Sequence, residues 1–97
     1  MKAAKQKTPE PNTKNLKNFS ATSLDGEKVI VNDLNKLVGN ALYFTARDIS
    51  VLEKAKQIYK QEDFSVDEAL IEAIRGTEKA IALWLISQLV DFLQDDN

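Results

Sequence analysis

Apolar and polar positions along the chain outline its elements. The longest apolar run, Ala80-Ile81-Ala82-Leu83-Trp84-Leu85-Ile86, lies within a stretch whose spacing predicts a helix from Thr77 to about Gln94. At 100° per residue, Ile81, Leu85, Leu89 and Phe92 share one side with Ala82, Ile86 and Leu93. Ser87, Gln88, Asp91, Gln94 and Asp95 take the other side, Leu83 and Val90 widen the stripe at one flank, and Trp84 sits across from them among polar residues. Gly76 ends the preceding helix and Thr77 caps this one. Such a helix needs cover over more than half its circumference, so it is expected as the central packing element.

Earlier in the chain, Asp25-Gly26 predicts a two-residue type I′ turn, because both central positions of that turn need positive φ. Its register pairs Leu24 with Glu27, Thr22 with Val29 and Ala21 with Ile30. That puts Leu24, Val29 and Val31 on one face and Phe19, Ala21 and Ile30 on the other. Leu34, Leu37, Val38, Ala41 and Leu42 predict a helix capped by Asn32 or Asp33 and running to about Phe44. Gly39 falls on its far side, where it reads as tolerated rather than as a close approach. Ser50-Val51-Leu52-Glu53 reads as a capping box for a helix over 51–61, with Val51, Leu52, Ala55, Ile58 and Tyr59 inward and Lys54, Lys56 and Lys60 outward. Ser65-Val66-Asp67-Glu68 repeats the box, with Phe64 as a hydrophobic staple. The helix over 66–75 then buries Val66, Ala69, Leu70, Ala73 and Ile74.

Composition changes the picture at the N-terminus. Residues 1–15 are polar, contain both prolines and lack the apolar surface that offsets the entropy of ordering, so a disordered tail is expected. Lys2, Lys5, Lys7, Lys14 and Lys17 face only Glu10, a balance of +4 over residues 1–18. The whole chain is −2, so the remainder carries −6. The lysines read either as a solubilising tail, the favoured reading, or as contacts to nucleic acid or another polyanion. No aromatic is interleaved with them to stack on bases.

The chain has no histidine and no cysteine, which excludes Ser-His-Asp and Cys-His catalysis and His/Cys metal sites. Its three glycines form no phosphate loop. Glu68 and Glu72 lie one helical turn apart, but Arg75 stands one turn from Glu72, and a surface pairing is expected. No catalytic, cofactor-binding or metal-binding residue is expected. The apolar run is too short to span a membrane and no secretory signal follows the first lysines, so a cytoplasmic protein is expected.

The segments FSATSLDGEKV, DLNKLVGNALY and AKQIYK, followed by a final apolar helix, resemble small proteins encoded in tailed-phage genomes and prophages. The resemblance implies a context of particle assembly or host interaction, and no activity or catalytic residue. The expectation is a single α+β domain over 16–97: one β-hairpin, about four helices, and the disordered basic tail in front. The leading function is a non-enzymatic protein-interaction or assembly module that binds a protein partner or self-associates. Its candidate contacts are Trp84, Leu83, Val90, Val29 and Val31. The alternative is a nucleic-acid-associated accessory protein using the lysine-rich tail.

Overall fold

The computed structural model describes residues 13–95. In chain order its elements are β1 (Thr13–Lys14), a 3₁₀ turn (Leu16–Asn18), β2 (Ala21–Thr22), β3 (Lys28–Val29), α1 (Leu34–Thr45), α2 (Ile49–Tyr59), β4 (Phe64–Ser65), α3 (Glu68–Arg75) and α4 (Leu83–Gln94). The fold is α+β, with four helices, the β2–β3 hairpin and a second two-stranded sheet of β1 and β4.

That second sheet corrects the expectation for the end of the tail. Thr13 pairs with Ser65 and Lys14 with Phe64. Asn15 donates to Asp63 Oδ1 at 2.8 Å and to the Gln61 carbonyl at 3.1 Å, while its own Oδ1 caps the 3₁₀ turn by accepting from Lys17 N–H. Residues 13–15 are therefore part of the fold, and the rest of the expected tail, 1–12, lies outside the described residues. Phe64 is a buried strand residue rather than a helix staple.

The hairpin differs from expectation by one residue. Ala21 pairs with Val29 and Thr22 with Lys28, and Ser23 N–H donates to the Glu27 carbonyl at 2.8 Å. The loop is thus Leu24-Asp25-Gly26: Gly26 N–H closes a turn onto the Ser23 carbonyl, and Gly26 alone of the three has positive φ, at 89°. This is a three-residue hairpin loop rather than type I′. A one-residue shift exchanges faces. Phe19, Ala21, Val29 and Val31 now share the side packed on the core, and Leu24 and Ile30 are left exposed.

α1 and α2 form an antiparallel pair joined by residues 46–48. Gly39 is buried where they cross: a Cβ there would stand 2.9 Å from Tyr59 Cβ and 3.1 Å from the Ala55 carbonyl oxygen. The glycine is required by close approach, not merely tolerated. In both following helices an aspartate two residues from the expected serine is the cap, Asp48 before Ser50 and Asp67 after Ser65. Asp48 accepts from Val51 N–H and Asp67 from Leu70 N–H, each at 2.9 Å. A carboxylate at the N-cap also meets the positive end of the helix dipole. Lys54, expected outward, is buried because its ammonium reaches Asp67 Oδ2 at 2.6 Å. Tyr59 and Ala69, expected inward, are exposed. α2 ends in a Schellman turn, with Glu62 N–H on the Gln57 carbonyl, Gln61 N–H on the Ile58 carbonyl and Gln61 at φ 62°.

α4 supplies Leu85, Ile86, Leu89, Val90 and Leu93 to the core, more buried residues than any other element contributes. It begins later than expected. Ala80 and Ile81 N–H close a single turn onto the Thr77 carbonyl, Thr77 is buried with its hydroxyl donating to Ile74, and Ala82 is extended (φ −60°, ψ 145°). The break keeps Thr77 and Ile81 inside while turning Ala82 outward, so packing overrides alanine's helix preference.

Candidate interaction surface

The restart at Ala82 puts Leu83 and Trp84 in the first turn of α4, where side chains have no preceding helical turn to cover them. Leu83 is 68% and Trp84 46% exposed. Two contacts fix how α4 lies along the hairpin. Phe92 packs edge-on against Phe19, ring centroids 5.4 Å apart, and one turn earlier the Gln88 side chain meets Thr22. Moving toward the start of α4 therefore moves toward the hairpin loop, so Trp84 lies on the side of the exposed Leu24.

The remaining expected contact residues separate. Val90, 6% exposed, is core: with Leu93 it completes the inward side of α4, which corrects its assignment to a docking flank. Val29 and Val31 are half-buried against the core, because the observed register turns them inward. They are not a free docking face. Of the lysines, Lys2, Lys5 and Lys7 lie outside the described residues. Lys14 is engaged within the molecule, its ammonium donating to the Asp95 carbonyl at 2.6 Å and standing 5.4 Å from the Phe92 ring centre. That placement corrects its reading as a polyanion contact. Lys17 is exposed.

Several exposed apolar residues escaped the sequence reading. Tyr43 and Phe44 end α1 in an edge-to-face pair 5.3 Å apart, and Ile49 stands at the start of α2. The signal for Tyr43 was present, since the spacing that sends Leu34 and Val38 inward leaves it on the far side. Phe44 borders two open clefts, one toward α3 beside Val51 and Ala73, the other beside Leu37 and Ala80. Tyr43 and Tyr59 line a smaller apolar cleft of about 210 Å³ over Gly39.

Charged groups pair locally. Arg75 meets Glu72 at 3.3 Å, and Lys56 meets Glu53 at 3.3 Å. The Asp67 carboxyl lies below its usual value of 3.8, held there first by the hydrogen bond from Lys54 and then by Leu70 N–H. The exposed Asp25 carboxyl is lowered by the Ser23 hydroxyl. Among the described residues no group of acidic side chains is arranged to hold a metal ion, and no helix is long and apolar enough to cross a membrane. Neither a protein-family model, nor a curated protein, nor a solved structure matches this chain.

Proposed function

We propose that this chain is a non-enzymatic protein-interaction or assembly module that docks a protein partner on the Leu83–Trp84 turn of α4. The observation that carries the reading is the contrast within one helix. Five side chains of α4 are buried, yet its first turn presents a leucine and the chain's only tryptophan to solvent. Tryptophan offers a large contact area for little loss of side-chain freedom, and it is enriched at the energetic centres of interfaces. A role in phage particle assembly or host interaction is the context that the resemblance of FSATSLDGEKV and DLNKLVGNALY suggests, and a cytoplasmic setting is part of the proposal.

The test compares the parent with Leu83→Ser and Trp84→Ala. Both variants are expected to melt close to the parent. Affinity capture from the native host is expected to lose specific partners in both variants, and bound partner should shift Trp84 emission to the blue. An identical set of captured proteins, with emission unchanged on binding, would remove this surface as the docking site. A polyanion role is the second reading, and it now rests on Lys17 and the lysines before residue 13. Binding to short DNA at low salt, released as salt rises, would favour it.

A further inference from the structure

The two outer edges of the hairpin are treated differently. Ser23 and Glu27 form a hydrogen-bonded pair, so by alternation Ala21 and Val29 form the next, and the main-chain groups of Thr22 point away from β3. Gln88 closes that edge as a neighbouring strand does: its Oε1 accepts from Thr22 N–H at 2.9 Å and its Nε2 donates to the Thr22 carbonyl at 2.7 Å. The outward groups belong to Lys28 of β3 and, with the alternation continued one residue past its end, to Ile30; among the described residues neither main chain meets a partner outside the hairpin. Ile30 is also 80% exposed. Beside this edge a cleft of about 390 Å³ is bordered by Phe19, Val29, Val31 and Leu34.

We infer that the β3 edge pairs with the same edge of a second copy of this chain, antiparallel, about a two-fold axis at Ile30. The segment Val29-Ile30-Val31 reads the same in both directions. In this register Ile30 faces Ile30 of the second copy as a hydrogen-bonded pair, which the outward direction of its main chain requires. Val29 faces Val31 on the inner side, extending the half-buried apolar face across the junction. Lys28 falls opposite Asn32, where the chain turns into α1 and the pairing ends. A two-fold axis at Lys28 would instead set two ammonium groups against each other, which is unfavourable. β-Branched residues suit such a strand, and an open edge is a template for it. The contact is smaller than a standard protein interface, so the dimer is weak and forms at protein concentrations of about 0.1–1 mM.

The chain contains no cysteine, so one substitution tests the register. Residues facing each other as a hydrogen-bonded pair stand about 5.5 Å apart between Cα atoms, within disulfide reach. Ile30→Cys is expected to form a covalent dimer under mild oxidation, and Lys28→Cys to cross-link at least about tenfold more slowly. In sedimentation equilibrium the parent dimerises, and Ile30→Lys and Ile30→Glu each remain monomeric. A mixture of the two recovers a dimer, because the opposite charges meet at the axis. A parent that is monomeric at about 1 mM, or Ile30→Cys and Lys28→Cys cross-linking equally, overturns the inference. A dimer that persists in Ile30→Lys but is lost in Trp84→Ala also overturns it, and assigns self-association to α4 instead. Loss of partner capture in Trp84→Ala with Ile30-dependent dimerisation intact leaves this inference standing.

Discussion

α1–α2 and β2–β3 are each an antiparallel pair of elements consecutive in the chain and joined by a short connection, yet they are secured in opposite ways. The helix pair is locked by absence: Gly39 carries no side chain, and its neighbours occupy the space a methyl group would need. Val38, Leu42, Ala55 and Ile58 surround that crossing and are essentially inaccessible to water. The hairpin has two residues per strand, of which only Ala21 is fully buried, and is anchored by one edge-to-face ring pair and one glutamine. Short two-stranded ribbons are marginal in water without such support. Stability is therefore concentrated in the helices, and the ribbon is the part that opens most cheaply.

The largest expected effect attacks the locked pair. Gly39→Val forces a branched side chain against Tyr59 and the Ala55 carbonyl and should destabilise by about 3 kcal/mol, with Gly39→Ala costing roughly half as much because alanine favours helix. Urea titration measures both, and parent-like midpoints would show that the helices do not approach as closely as described. Next comes Asp67→Asn, which keeps an N-cap but strands the buried Lys54. A loss of about 1–2 kcal/mol is expected. The sign with pH follows from the lowered carboxyl. The advantage of the parent over Asp67→Asn is complete above the unfolded value of 3.8 and disappears as pH falls through the lower folded value. An advantage that grew on acidification would contradict the pairing.

In the hairpin the effects are smaller. Gly26→Val meets no neighbour within 4 Å, so its cost comes from the backbone alone, about 1 kcal/mol at positive φ. Gln88→Ala should cost less, about 0.5–1 kcal/mol, because water can reach the freed Thr22 groups. Hydrogen exchange supplies the sharper reading of that variant: protection at Thr22 should fall while Val38 and Ile58 keep theirs. If α1 and α2 lose protection together with Thr22, the two regions unfold as one and the contrast fails.

Periodicity carried what depends on neighbours three or four residues apart. Leu34, Leu37, Val38, Ala41 and Leu42 are all buried or half-buried, and Trp84 stands off the stripe of its helix as the spacing indicated. Features set by distant partners were not legible. Lys54 on α2 looks like any solvated lysine until Asp67, thirteen residues on, is brought to it. Gln88 belongs to a polar face until Thr22, sixty-six residues before it, arrives beside that face. Asp25-Gly26 announced a turn correctly but not its length, and the extra loop residue reversed the faces of the ribbon. The same limit applies to the candidate surface. Trp84 was visible from the wheel, whereas Leu83 needed the helix start, and Val90, Val29 and Val31 the core and the register, to be placed.

The bond from Lys14 to the Asp95 carbonyl brings the first and last described stretches of chain to one point. In effect the fold is a closed ring with a single gap. Joining residue 95 to residue 13 by a short linker, in a chain trimmed to 13–95, and reopening it at the exposed Leu24 should give a circular permutant that keeps the helix pair and α4.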